Sequence, residues 1–426
     1  MMKSFINNRA IFYALNLLLI LCFPLFMGCG SSGGSSNDDD TVVPSPSATI
    51  VPPPLWQRSF GLNSPHTGPA LTSEVLWNIE TPHSIAIDAS NNVYLSKSSG
   101  GFYVYSSDRT ELFELQSHES FSSPTIADDG TIYVGNQNDT LYRIKRLNNN
   151  FTYEVDNQTD SFGPLITDPS SNAYAKHGTF VSSYASTGNL TPIKTINLGC
   201  LAKDLSVYNN QIFALCEDRV IGINKETFGR TFTQSSLRTG SNHTLHMSLD
   251  VHNNRLIVID SGSNSRILLL SLSDGSITQE TTLTGKTISH ATADTDGNIY
   301  VPFVDGAPLG GLLKFNTSLT QVGTTPAHTA TALYSNLANG RRPFVIRDSQ
   351  GSLYVFNSTH EPSTNTSTYK VFKLGNDLSV VASQNISLDV DENGDFDLGN
   401  THTPTLVITP GTLFISGLPE GLIELK

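Results

Sequence analysis

The chain has 426 residues, of which 25 are Lys or Arg and 38 are Asp or Glu, so its formal charge is −13. A protein this acidic has no electrostatic reason to approach nucleic acid, and no basic stripe runs along the sequence. Charged residues make up only 15%, whereas Ser, Thr, Asn and Gly are abundant. This composition is typical of an all-β domain rich in turns.

Residues 1–28 are predicted to be a targeting segment. Lys3 and Arg9 supply a positive start, residues 11–26 form an apolar run, and Cys29 comes directly after Gly28. An apolar run this short is typical of an exported and cleaved signal rather than of a membrane-spanning helix. The segment resembles a bacterial lipoprotein signal, in which Cys29 is acylated and becomes the new N-terminus. The alternative is an ordinary signal peptide that contains a Cys.

Residues 29–55 are predicted to be a tether. Residues 30–40, GSSGGSSNDDD, have no apolar side chain to bury, and residues 42–54 are Pro-rich. Removal of residues 1–28 takes away two basic residues and no acid, which changes the formal charge from −13 to −15. By the sorting rule of enterobacterial lipoproteins, Gly30 favours the outer membrane. We therefore expect a lipid-anchored outer-membrane protein, on the periplasmic or the surface side, whose structured part is 56–426.

Eight related segments follow at intervals of about forty residues, a period typical of repeat folds. Each is a short apolar strand, a turn with Asn, Gly, Asp or Pro, and a strand rich in β-branched and aromatic residues, which is the pattern of a tight hairpin. The copies are HSIAIDASNNVYL (83–95), FSSPTIADDGTIYV (121–134), GPLITDPSSNAYA (163–175), LSVYNNQIFAL (205–215), MSLDVHNNRLIVI (247–259), SHATADTDGNIYV (289–301), FVIRDSQGSLYVF (344–356) and PTLVITPGTLFIS (404–416).

The repeat predicts a single eight-bladed β-propeller of four-stranded antiparallel blades. Four strands of about five residues and four short connections fill a unit of about forty. A lone blade has two apolar faces, which a ring of blades buries against each other. The last copy has only three strands before the chain stops, whereas EVLWNI (74–79) lies unassigned before the first copy. We predict that 74–79 is the outer strand of the last blade and closes the ring.

Residues 56–77, WQRSFGLNSPHTGPALTSEVLW, followed by 122–144, SSPTIADDGTIYVGNQNDTLYRI, resemble the opening of quinoprotein-like (PQQ-repeat) propellers. That structural class includes an eight-bladed lipoprotein of outer-membrane protein assembly and the quinone-dependent dehydrogenases. The dehydrogenase repeats carry a Trp after the Asp-x-x-Thr-Gly turn, and the corresponding turns here, 184–190 and 223–230, have none. The resemblance therefore implies the fold, and PQQ is not expected as a cofactor.

The segment DVDENGDFDLGN (389–400) is the sharpest local motif. Oxygen-bearing side chains at alternate positions around Gly394 are suited to bind Ca²⁺. A lone Ca²⁺ loop between blades is one interpretation, and a solvated acidic hairpin turn is the other. The candidate ligands are Asp389, Asp391, Asn393, Asp395, Asp397 and Asn400.

Two further pairs of side chains have alternative interpretations. Cys200 and Cys216 are the only thiols outside the signal and the anchor, so in an oxidising compartment they form either a disulfide or two buried apolar side chains. A disulfide needs a bend in the chain before the strand. His243 and His246 are either half of a metal site or a pair at a loop edge, and no third ligand lies near them in the sequence.

The connections between second and third strands are long in two blades, 304–311 and 357–368. Since a propeller binds through loops held by a rigid scaffold, these connections predict a surface for a protein or glycan partner, unless they reflect neutral drift. No nucleophile elbow, phosphate-binding loop or Cys-x-x-Cys occurs. We expect a monomeric, non-catalytic binding or scaffold protein. An envelope enzyme, quinone-dependent or hydrolytic, and a component of outer-membrane protein assembly are the alternatives.

Overall fold

A computed structural model describes most of the chain beyond residue 65. The described residues belong to the second of two compact units, Thr49–Lys426. They are 66–77, 82–88, 90–97, 100–116, 121–136, 140–147, 150–157, 162–304, 310–325, 345–361, 366–386, 405–418 and 421–426. Every regular element in these ranges is a β-strand, and none of the ranges contains a helix long and apolar enough to cross a membrane.

The described strands form eight antiparallel sheets whose strand order follows the chain, except that β22 and β23 both pair with β24 and that β1 pairs with β33. The predicted eight-bladed β-propeller of four-stranded antiparallel blades is confirmed. Blades 1 to 3 comprise β2 (Pro82–Ile87), β3 (Val93–Lys97), β4 (Phe102–Tyr105) and β5 (Glu111–Leu115); β6 (Thr125–Ile126), β7 (Ile132–Gly135), β8 (Thr140–Leu147) and β9 (Asn150–Asn157); and β10 (Phe162–Thr167), β11 (Ala173–His177), β12 (Phe180–Tyr184) and β13 (Lys194–Asn197).

In blade 6 the innermost strand is split into two short segments that both pair with the second strand. Blades 4 to 6 comprise β14 (Asp204–Tyr208), β15 (Gln211–Leu215), β16 (Val220–Asn224) and β17 (Arg230–Gln234); β18 (Thr244–Asp250), β19 (Arg255–Ser261), β20 (Asn264–Ser271) and β21 (Ile277–Thr284); and β22 (Thr287–Ile288), β23 (Thr292–Ala293), β24 (Ile299–Val304), β25 (Gly310–Phe315) and β26 (Gln321–Thr324).

The last two blades bring the two ends of the described chain together. They comprise β27 (Val345–Arg347), β28 (Leu353–Glu361), β29 (Thr366–Leu374) and β30 (Val380–Ile386); and β31 (Thr405–Thr409), β32 (Thr412–Leu418), β33 (Gly421–Leu425) and β1 (Glu74–Trp77). β1 pairs with β33 from Glu74 opposite Leu425 to Trp77 opposite Leu422. The predicted closure by an N-terminal strand is confirmed.

The segment before β1 fastens the same junction. The amide of Ser349 in blade 7 donates to the carbonyl of His66, at 3.0 Å, and the amide of Gly411 in blade 8 donates to that of Thr67, at 2.8 Å. The hydroxyl of Tyr354 donates to the carbonyl of Pro69, at 2.8 Å. Residues 66–73 therefore form a strap across blades 7 and 8, which we call the closing strap.

The hydrophobic core lies between blades rather than inside them. In β19, Leu256 and Val258 pack in the cluster shared with blade 4, whereas Ile257 and Ile259 pack in the cluster shared with blade 6. Because successive side chains of a strand point to opposite faces, a blade buried on both faces needs apolar residues at both alternations. This explains strands such as β19 that are apolar throughout.

The turns between first and second strands share a left-handed residue. In all eight blades one residue of this turn has a positive φ, as is common in Asn and Gly and needed by tight hairpin turns. These residues are Asn91, Gly130, Ser171, Asn209, Asn254, Gly297, Gly351 and Gly411. The turn signals of the sequence therefore correspond to real backbone requirements.

Four of these turns also hold an Asp carboxylate, which is buried in three of them and half-buried at Asp88. One Asp oxygen accepts the amides two and four residues on, at 2.8 to 3.0 Å, and the other accepts the hydroxyl of the Tyr six residues on, at 2.8 to 3.3 Å. Burial, then the charge of the carboxylate, raises the pKa of each of these Tyr side chains. The Asp–Tyr pairs are Asp88 with Tyr94, Asp168 with Tyr174, Asp294 with Tyr300 and Asp348 with Tyr354.

Candidate functional site

The loop face of the ring carries the features that the sequence singled out. We define the loop face by the connections that enter each first strand and those that join second to third strands. Those described in full are 178–179, 198–203, 216–219, 235–243, 262–263 and 285–286. Antiparallel order places all of these connections at the same end of the blades. In blade 6 the predicted connection 304–311 is wrong in its extent, because Val304 pairs with Gly310 and Phe303 with Gly311; only 305–309 joins the two strands, and it is outside the described residues.

The predicted long loop 357–368 in blade 7 is wrong in its extent. β28 and β29 pair continuously from Leu353 opposite Leu374 to Glu361 opposite Thr366, which leaves only 362–365 as the connection. The segment is rich in Ser, Thr and Asn, which suggested a loop, but backbone pairing in a hairpin needs no apolar side chain and Thr favours strands. Blade 7 therefore bears a long hairpin.

A disulfide joins Cys200 and Cys216, whose Cα atoms are 6.1 Å apart. Cys216 directly follows β15 and is fully buried, and the amide of Lys203 donates to the carbonyl of Leu215 at 2.7 Å. The chain turns before β14, which brings Cys200 back over the strand end. The bond fixes two connections of the loop face to each other, and the neighbouring Leu201 is 62% exposed.

A buried carboxylate organises the loop face of blade 5. Asp260, at the end of β19, has no exposed side-chain surface and accepts from Thr239 Oγ1 at 2.6 Å and from His243 Nδ1 at 2.9 Å. Arg266 Nε donates to the same carboxylate at 3.2 Å. Because a carboxylate only accepts, the Nδ1 of His243 carries the proton and its Nε2 is an acceptor while the ring is neutral.

Two glycines leave room for the ring of His243. A Cβ on Gly262 would lie 2.2 Å from Nε2, and one on Gly240 would lie 2.8 Å from the ring. The imidazole is therefore held between two backbone segments, with 14% of the side chain exposed. An imidazole fixed in this way by a carboxylate can accept a hydrogen bond from a ligand at the loop face.

His246 lies in a different cluster. Its Nδ1 is 3.2 Å from the Nε2 of His290, which lies between β22 and β23 of blade 6, and the ring centroids are 4.1 Å apart. Thus the two histidines that the sequence paired bind different partners, Asp260 and His290. Among the described residues no group of three or more His, Cys, Asp or Glu is arranged to hold a metal ion.

Two of the sequence predictions lie outside the described residues. They are the lipidation site Cys29 and the candidate Ca²⁺ ligands Asp389, Asp391, Asn393, Asp395, Asp397 and Asn400. Both stay predictions.

Sequence reasoning did not single out Asp260 or Arg266. Asp260 follows four apolar residues in LIVID, and a charged residue that ends a buried strand must find partners when it folds. That position was a usable signal. The partners themselves come from one connection, 235–243, and from the neighbouring strand β20, so the sequence did not identify them.

No family model matches the chain, and no curated protein matches it. Several solved structures are similar to it. BamB from Moraxella catarrhalis has a TM-score of 0.58 and 11% identity, over 84% of this chain and 98% of that one. The computationally designed Ika8 protein has a TM-score of 0.56 and 10% identity, over 86% and 99% of the two chains.

An enzyme is also among the similar structures. The dihydro-heme d1 dehydrogenase NirN, in complex with DHE, has a TM-score of 0.56 and 12% identity, over 72% of this chain and 67% of that one. At these identities the likeness shows the propeller fold alone.

Proposed function

We propose that this protein is a non-catalytic binding propeller of the bacterial cell envelope. It is anchored through lipid on Cys29, belongs to the quinoprotein-like repeat class, and presents its loop face to a protein or glycan partner. The observation that carries the proposal is the rigidity of that face. The Cys200–Cys216 disulfide and the buried Asp260 cluster hold loops of blades 4 and 5 in one arrangement.

Rigid loops favour recognition because little conformational entropy is lost when a partner binds. Leu201 stands exposed beside the disulfide, so an apolar side chain on a fixed backbone is available to a partner there. At the other end of the blades, Asp side chains in the turns between first and second strands accept hydrogen bonds from backbone amides of the same turn and from Tyr hydroxyls. These carboxylates are therefore engaged in the structure of the turns.

The proposal is tested by photocrosslinking in intact cells of a bacterium with two membranes. A benzophenone amino acid replaces Leu201 or Asn242, both exposed on the loop face, and Val322, which is 54% exposed on the outer strand β26, in the matched control. We expect one shared adduct from the two loop positions and none from Val322. Membrane fractionation should show the protein in the outer membrane and its Cys29→Ser variant in the soluble periplasm. Equal adducts from all three positions, or a membrane pool that does not depend on Cys29, would refute the proposal.

Two alternatives to the binding role, both stated from the sequence, keep their own tests. The first, from the sequence resemblance, is a part in outer-membrane protein assembly; the second is an envelope enzyme, and the dehydrogenase NirN shows that a propeller of similar structure can belong to an enzyme. An adduct with an assembly protein at Leu201 would support the first. Absorbance of a bound quinone or haem in the purified protein, together with dye-linked dehydrogenase activity, would support the second.

A further inference from the structure

The outer strand of blade 2, β9, has two unlike faces. In its register with β8, Tyr153 lies opposite Ile144 and Val155 opposite Tyr142. Because paired residues share a face, and Ile144 and Tyr142 belong to the core shared with blade 1, Tyr153 and Val155 also point toward blade 1. The alternate residues point the other way.

The face toward blade 1 is apolar and already ordered. Phe151 of β9 stacks on Phe113 of β5, with ring centroids 5.0 Å apart, and Tyr153 lies 6.1 Å from the ring of Tyr142. Nevertheless Tyr153 is 51% exposed and Val155 is 41% exposed. This face therefore extends the core between the blades to the surface as an uncovered aromatic edge.

The opposite face is acidic. Glu154 and Asp156 alternate with the apolar residues, and Glu154 is half exposed. Arg143 of β8, which is buried, forms an ion pair with Glu154 and also donates to the carbonyls of Ala185 and Gly188 in blade 3. Because Arg143 is held on several sides, Glu154 is held at a fixed place on the strand edge.

β9 also offers an open backbone edge. Its sheet has the order β6-β7-β8-β9, so among the described strands β9 pairs on one side only, over eight residues. The β8–β9 hairpin extends past Ile144, the last residue of β8 that pairs with β7. In this extension Leu147 is 63% exposed. Long exposed edges of this kind are templates for a further strand.

The other outer strand of eight residues, β21, lacks this pattern. Its sequence, ITQETTLT, carries Thr and Gln at most positions and a single acid, Glu280. Among the described outer strands, β9 alone joins two exposed apolar residues on one face to two carboxylates on the other.

We propose that the free edge of β9 binds an extended segment of a partner protein in which apolar and basic residues alternate. As an added antiparallel strand, the segment places its apolar residues beside Tyr153 and Val155 and its Lys or Arg residues beside Glu154 and Asp156. Charge complementarity selects a basic segment, since the charged side chains of β9 itself are Glu154 and Asp156, whereas the basic Lys145 and Arg146 lie one strand inward on β8. The inference gives the proposed binding role a second surface, apart from the loop face.

The test is a titration of the purified protein with fluorescent ten-residue peptides. The probe alternates Lys and Val. A second peptide has the same composition in two blocks, a third alternates Glu and Val, and a fourth is the probe N-methylated at alternate residues along one edge. We expect saturable binding of the alternating Lys–Val peptide, and at least tenfold weaker binding of the other three, because each loses the facial match, the charge match or the backbone pairing.

Variants locate the binding site. Tyr153→Ser should weaken binding of the probe by about tenfold, the size of an interface aromatic anchor. Glu154→Gln, which keeps a hydrogen-bond acceptor for Arg143, should weaken it by about threefold, as expected for an exposed ion pair. The matched control Ile277→Ser on β21 should have no effect, and melting curves establish that each variant is folded.

Two results would overturn the inference. One is equal binding of the block or N-methylated peptide, which would show simple charge attraction. The other is equal weakening by Ile277→Ser and Tyr153→Ser. Failure of the peptide titration leaves the crosslinks from Leu201 unaffected, so the two proposals fail separately.

Discussion

Trp77 joins the first strand of the ring to the last, so its removal tests the closure. The side chain is 4% exposed and lies edge-on to Phe414 and to Tyr105, at centroid distances of 6.0 and 6.4 Å. Its Nε1 donates to Glu424 Oε2 at 2.9 Å. Truncation of a buried Trp to Ala costs about 3–5 kcal/mol. Since Lys426 still pairs with Glu424, the carboxylate is not left without a partner, and we take about 4 kcal/mol as the expected loss.

The melting temperature converts this loss into a measurement. An unfolding entropy of about 2.1 cal/mol/K per residue gives about 0.8 kcal/mol/K for about 360 residues, so Trp77→Ala should melt about 5 °C lower. Trp77→Phe keeps an aromatic ring but loses the hydrogen bond, about 1–2 kcal/mol, and part of the buried volume of the indole, and should melt at least about 2 °C lower. Far-UV circular dichroism of the purified mature protein records both. A Trp77→Ala variant that melts within 1 °C of the wild type would show that the junction between β1 and β33 does not limit stability.

Three further changes test other contacts of the ring. Burial of Asp168 opposes its ionisation, but hydrogen bonds from Lys225 and Tyr174 hold its pKa below the usual value. This stabilisation is therefore present above about pH 4 and is lost as the pH falls through the lowered pKa. Lys225→Met should cost about 2 kcal/mol at pH 7 and progressively less as the pH falls below about 4, by urea unfolding across that range. Burial and the same carboxylate raise the pKa of Tyr174, so the stability that Tyr174 contributes is present below about pH 10 and falls above it. Tyr174→Phe should flatten this alkaline loss of stability, and absorbance at about 295 nm follows the ionisation. An unchanged profile would assign the loss to other tyrosines. Replacing Cys200 and Cys216 together by Ala should cost about 3 kcal/mol, because the bond closes a loop with a separation of 16 residues, and dithiothreitol should destabilise the wild type but not the variant.

The repeat made the ring predictable. Each copy carries its own turn signal and its own pair of strands, so eight weak local signals combined into one architecture, and the incomplete last copy indicated where β1 belongs. The connection in blade 7 was predicted wrongly because that prediction, too, relied on local composition alone. Residues 357–361 have loop composition, yet they pair with β29 because a long partner strand was available.

The polar contacts were harder to predict. The pattern LIVID indicated that Asp260 ends a buried strand, but nothing local indicated that Thr239, His243 and Arg266 would converge on it. Similarly, the acids of β9 were visible in the sequence, whereas their position on one face of an open edge needed the register with β8.

The amino-acid sequence by itself determined the strands, the left-handed turns and the number of blades, because each depends on residues within about forty positions of one another. Tertiary structure decided which side chains meet across blades: Lys225 with Asp168, His246 with His290, and Arg143 with the carbonyls of blade 3. These contacts join residues on different repeats. They exist because stacking the blades sets the distance between neighbouring sheets, and no local pattern encodes that distance.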